Sequence, residues 1–172
     1  MKRTTKLVGA LAIATALSTA ASANEKVELG YSSVDSAGVS KSGVSVGYGF
    51  AFGETIKQAI GLKVAFVGEN KDAKDDKGNI GDIYYNIGYE VLPNTTTYAS
   101  VGYGFQSLGT IGTGQNATTA YAGGMSVGAG IKYDFNKKFA LDVSYKNYSL
   151  SYEALDYDAK VINAGLVYTF DK

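Results

Sequence analysis

Lysines and carboxylates recur inside otherwise apolar stretches of this chain, as in Lys26-x-Glu28, Lys132-x-Asp134 and Asp142-x-x-x-Lys146. Carboxylates such as Asp82, Glu90 and Asp142 could trade protons as a general acid and base if brought together. The chain contains no His and no Cys. That removes the usual base, the thiol nucleophile and the ordinary zinc and haem ligands. Two further stretches look chemical at first sight. Gly109-Thr110-Ile111-Gly112-Thr113-Gly114 has the glycines of a phosphate loop, but no βαβ unit surrounds it. Residues 69–78 are rich in acids, yet Lys71, Lys74 and Lys77 interrupt the alternating oxygen ligands that a calcium loop needs. No catalysis, cofactor or metal is expected.

The elements that carry these residues begin only after a leader. Met1–Lys6 is basic, Leu7–Leu17 is apolar, and Ala21-Ser22-Ala23 gives the small-x-small pattern of a signal-peptidase site. Residues 1–23 are therefore expected to be a cleaved signal peptide, and 24–172 the functional domain. A membrane helix would need about 20 apolar residues, and Ser18 and Thr19 end the run too early. Removing 1–23 takes the only Arg and leaves 13 Lys against 16 acids. A chain of that balance lacks the basic excess of a nucleic-acid binder. With 22 Gly, 14 Tyr, 7 Phe and one Pro in 172 residues, an all-β protein is expected.

Period-2 alternation marks eight strands. One face carries Val27, Leu29 and Tyr31, then Val44, Val46, Tyr48, Phe50 and Phe52, then Ile60, Leu62, Val64 and Phe66. It continues through Ile83, Tyr85, Ile87, Tyr89 and Val91, and through Ala99, Val101, Tyr103 and Phe105. The last three strands add Met125 to Phe135, Phe139 to Tyr145 and Ile162 to Phe170 at alternate positions. None of these residues is charged. The other face holds small residues, among them Gly47, Gly49, Gly102, Gly104, Ser45, Ser126 and Ser144. Between them sit Lys26, Lys63, Lys132 and Lys146 with Glu28, Asp82, Glu90, Asp134 and Asp142.

Water-facing sheets carry long charged side chains, not glycine at alternate positions. The lumen of an eight-stranded barrel is just wide enough for side chains to fill. The apolar face is therefore expected to meet lipid and the small polar face to fill the lumen, giving an eight-stranded antiparallel up-and-down transmembrane β-barrel. Lys26, Lys63, Lys132 and Lys146 are expected to pair with Glu28, Asp82, Glu90 and Asp142 in a lumen charge network, because a buried charge needs a partner. The connections alternate in length. Gly53–Thr55, Pro93–Thr95 and Asn136–Lys138 are tight; Ser33–Ser42, Gly68–Asn79, Ser107–Ala120 and Ser149–Asp158 read as long. Short periplasmic turns and longer external loops are expected, with aromatic girdles at both interfaces. Tyr152, Leu155 and Tyr157 then give the last loop apolar contact residues.

The final strand reads Asn163-Ala164-Gly165-Leu166-Val167-Tyr168-Thr169-Phe170. It resembles the C-terminal β-signal of outer-membrane proteins, polar-x-Gly-x-x-aromatic-x-aromatic, at Asn163, Gly165, Tyr168 and Phe170. Over 24–172 the layout resembles the small eight-stranded barrels of the OmpX type and the barrel domain of OmpA. The resemblance implies residence in the outer membrane of a Gram-negative-type bacterium, contact with its lipid and lipopolysaccharide, and recognition by the barrel-assembly machinery. It also implies a non-enzymatic structural or adhesive role, with host surface molecules as candidate partners of the loops. Two other readings compete: a narrow porin-like pore, and a soluble lipocalin-like barrel.

Overall fold

Eight antiparallel strands close into one barrel in sequence order, with β1 pairing β8. The computed structural model describes residues 24–36, 38–67, 78–111, 118–153 and 155–170. The strands are β1 (Asn24–Ser36), β2 (Val39–Phe52), β3 (Ile56–Val67), β4 (Ile80–Leu92), β5 (Thr95–Ile111), β6 (Thr118–Asp134), β7 (Phe139–Tyr152) and β8 (Leu155–Thr169). The expected leader, residues 1–23, lies outside the described residues, as does most of the expected loop at 68–79 and the middle of that at 107–120.

Closure follows from the alternation. Each strand has one apolar face, and only a closed sheet leaves no unpaired edge in a medium that offers no hydrogen bonds. The apolar face points outward: Leu29 is 60% exposed and Val127 55%, whereas Ser45 and Ser126 on the opposite face are 1% exposed. No residue of the expected lipid-facing set is buried. At the end bearing Asn24 and Phe170, edge-to-face ring pairs brace the belt: Tyr48–Phe50 (5.5 Å), Tyr133–Phe135 (5.4 Å) and Tyr168–Phe170 (4.9 Å). A polar side chain, Gln58, lies on that surface. It is satisfied there by the Tyr85 hydroxyl, which donates to its carbonyl at 2.5 Å.

Three turns at this end are as short as expected; Pro93-Asn94 uses a left-handed Asn94 (φ 63°) and β2–β3 a left-handed Gly53 (φ 84°). The opposite end departs from expectation. Ser33–Ser42 and Ser149–Asp158 are not loops: β1 and β2 pair up to Ser36↔Val39, and β7 and β8 up to Tyr152↔Leu155. Only two residues separate the strands in each hairpin. The outward apolar pattern stops at these points, but the strands do not. Beyond the belt the alternation inverts. Val34, Val67, Ile80, Leu150 and Val161 turn inward, while Asp35, Ser149, Ser151, Asp158 and Lys160 face out. This is the pattern of a sheet whose outer side has left lipid for water.

Candidate functional site

The lumen is built in three tiers, each assembled from residues that alternation sends inward.

The middle tier is ionic. Lys63 on β3 donates to Glu28 on β1 at 2.6 Å, with the two side chains 13% and 7% exposed. The same carboxylate oxygen accepts from the Asn163 amide on β8 at 2.7 Å. Asn163 in turn accepts from Ser32 at 2.8 Å and from Ser45 at 2.5 Å. One asparagine thus ties β8 to β1 and β2 across the closing seam. Beneath it Gly165 is required by contact, since a Cβ there would lie 2.5 Å from Glu28 Oε1. A second pair, Lys146–Asp82 at 2.6 Å, is more deeply buried at 8% and 1% and is extended by Ser126 donating to Asp82. Both pairs set an opposite charge and a further hydrogen bond against burial, although Asp82 Oδ1 has no hydrogen-bond partner.

The remaining members of the expected network go elsewhere. Lys132 pairs with Asp134 at 2.9 Å, partly in solvent. Asp142 has no lysine within ion-pair distance among the described residues; the Tyr98 hydroxyl bonds both its oxygens, at 2.8 and 2.9 Å. Lys26 reaches across the lumen to within 5.8 Å of the Tyr84 ring centroid. Glu90 is a correction. It lies exposed at the end of β4 and accepts from the backbone N–H of Asn94, so it caps the β4–β5 turn and takes no part in the lumen. It pairs with Thr96 on the last regular rung, just before a register shift that leads to Leu92↔Thr95.

Three tyrosines fill the lumen that the charges frame. Tyr84 is 4% exposed and Tyr148 3%, with Tyr98 half-buried. Each ring lies in a notch left by glycine on another strand: Tyr84 over Gly61 and Tyr98 over Gly130 on the adjacent strands, and Tyr148 over Gly104 two strands away. Lys146 stands 4.3 Å from the Tyr84 centroid on the same ring that Lys26 approaches. Sequence reading missed all three because it followed the bulky face. The available signal was an aromatic in phase with Asp82, Ser100 or Lys146.

The tier away from the termini is apolar. Val34, Ala65, Val67, Ile80, Ala122, Tyr148, Leu150, Ala159 and Val161 form a buried cluster, and Leu108, Tyr152 and Tyr157 pack against it. This corrects the placement of two loop residues. Tyr152 and Tyr157 are on strands and in phase with the inward set, so they cover the lumen instead of presenting apolar contacts. Leu155 begins β8 at the rim and is 70% exposed. At the terminus-bearing end the third tier is a polar cup of about 810 Å³, whose lining includes Lys26, Lys57, Asn86, Tyr98, Lys132 and Asp142.

A closed sheet with a hydrocarbon-compatible belt around a filled, charged lumen defines an integral β-barrel membrane protein. The chain belongs to the outer membrane protein beta-barrel domain family, which it matches over residues 8–170, and it resides in the outer membrane of a Gram-negative-type bacterium. No protein of curated function matches it in sequence. Among solved structures it is similar to Ail, the attachment invasion locus protein of Yersinia pestis, with TM-score 0.61 and 16% identity over 86% of this chain and 99% of that one. Neisserial surface protein A gives TM-score 0.59 at 14% identity, covering 86% and 97%. A major outer membrane protein of Thermus thermophilus gives 0.54 at 15%, covering 87% and 100%. At such identities the likeness is one of fold.

Proposed function

We propose that this barrel is a non-enzymatic, non-conducting outer-membrane protein acting through its cell-exterior end, in a structural or surface-interaction role. The observation that carries the reading is the double closure of the lumen. Ion pairs and Tyr84 fill the middle, and a separate apolar cluster fills the exterior tier. A solute would have to cross both, so the narrow-pore reading has no path to support it. Membrane residence displaces the soluble lipocalin-like reading.

Support for an adhesive role comes from Ail, which is named for attachment and was also solved with the heparin analogue sucrose octasulfate. Charge favours a different partner here. Residues 69–77 carry Glu69, Asp72, Asp75 and Asp76 against Lys71, Lys74 and Lys77, and the β7–β8 hairpin exposes Glu153, Asp156 and Asp158. A sulfated polyanion would meet net repulsion, so a neutral or basic host surface, or envelope lipopolysaccharide bridged by cations, fits better. We further propose that residues 1–23 are the cleaved export signal. Asn163, Gly165, Tyr168 and Phe170 are proposed to be read by the barrel-assembly machinery.

The test displays the barrel on a non-adherent Gram-negative host. One variant replaces 69–77 with a Gly-Ser linker; another replaces Glu153, Asp156 and Asp158 with Ser. Binding to an immobilised extracellular matrix should fall while the heat-dependent gel shift of the folded barrel persists. Unchanged binding in both would contradict the role, and steady conductance in planar bilayers would promote the pore.

A further inference from the structure

The cup at the terminus-bearing end is closed above by the ionic tier, so it is a blind chamber open only to the periplasm. Its volume of about 810 Å³ falls in the roughly 300–1,000 Å³ range of small-molecule sites. Its charges are unevenly satisfied. Asp134 is taken by Lys132, whereas Asp142 shares one Tyr98 hydroxyl between its two oxygens and gains no counter-charge from it. Lys26 and Lys57, both on the lining, have no ion-pair partner among the described residues, and Lys26 rests against a tyrosine ring 5.8 Å away. Asn86 is also on the wall, and a primary amide can donate to an oxyanion. A buried ammonium is costly without a counter-charge, and the ring face supplies only part of one. The lining carries Lys26, Lys57, Lys132 and Lys137 against Glu54, Asp134 and Asp142, one lysine in excess, so the unfilled role is that of an anion.

We propose that the cup binds one small soluble anion of the phosphate or carboxylate class, with Lys26 as the deep contact and Lys57 and Asn86 on the wall. The chamber lies inside the sheet, so a phospholipid headgroup could enter only by drawing its acyl chains over the rim; a free anion needs no such distortion.

The full barrel, refolded in zwitterionic nanodiscs with labelled lysine, is titrated with inorganic phosphate at constant ionic strength, using chloride as control. The Lys26 side-chain resonance should shift saturably with one phosphate per barrel, and Lys26→Gln should weaken binding about tenfold or more while the folded gel shift persists. A linear response, an equal response to chloride, or unchanged affinity in Lys26→Gln overturns the site. Should Lys26→Gln fail to fold, the parent resonance decides: saturation supports the site and no shift overturns it. A shift on adding phosphatidylglycerol without phosphate would assign the chamber to headgroups and overturn the soluble-anion reading.

Discussion

At the scale of single residues, burial decides which ion pairs matter. Lys63–Glu28 is nearly dry, while Lys132–Asp134 is about a third exposed on each side. Removing one partner of a buried pair strands a charge, so Lys63→Met should cost about 3–5 kcal/mol. Lys132→Met should cost about 0–1 kcal/mol because water screens that pair. Urea unfolding of the refolded barrel checks both, and equal losses would show that depth does not rank these pairs. The glycine notches make a second expectation. A Cβ on Gly104 would overlap the Tyr148 ring at Cδ1, so Gly104→Ala should destabilise by about 1–3 kcal/mol through overpacking. In a Tyr148→Leu background that penalty should shrink, as a double-mutant cycle would show. The lumen lysines and acids were legible because charge stands out in an apolar strand. Their pairing was not, since it depends on which strands face one another across the barrel. Tyr98, chosen by Asp142 over any lysine, is the clearest case.

Among the elements, β8 has a double duty that its sequence only half revealed. Asn163 and Gly165 read as letters of an export-assembly signal, yet the folded barrel uses both at its seam with β1. Asn163→Ala should therefore lower stability in vitro, where no assembly machinery is present, by about 1–3 kcal/mol for the groups left unsatisfied. Unchanged unfolding in detergent, with a defect confined to cells, would reduce Asn163 to a signal alone. Facing is tested on β2 and β7. Val46→Lys and Leu141→Lys put charge against lipid at about 2–4 kcal/mol near the midplane, so folding into vesicles should fail. Ala51→Lys and Thr169→Lys open into the periplasmic cup and should fold. If both pairs fold alike in a gel-shift assay, the facing is wrong. The two hairpins expected as loops, 33–42 and 149–158, show where sequence reading ran out. Strand was inferred from outward apolar residues, and above the membrane the same strands turn their apolar side inward.

For the molecule as a whole, strand number, antiparallel order and the direction of each face followed from a period of two carried by residues such as Leu29, Val46 and Leu166. The exterior tier did not follow, because its apolar residues come from six different strands and no single strand reveals them as one cluster. It makes the barrel a membrane-spanning cylinder topped by a short collar with its own dry core. One set of apolar side chains therefore greets lipid, and a second, smaller set does not. Methyl-labelled Val and Leu in the unaltered protein test this division directly, using a lipid-soluble spin label in the bilayer. Signals from Leu29, Val46, Val127, Leu141 and Leu166 should bleach, while those from Val34, Val67, Leu150 and Val161 survive. Survival of the first set with bleaching of the second would contradict the assignment of inside and outside on which every other conclusion rests.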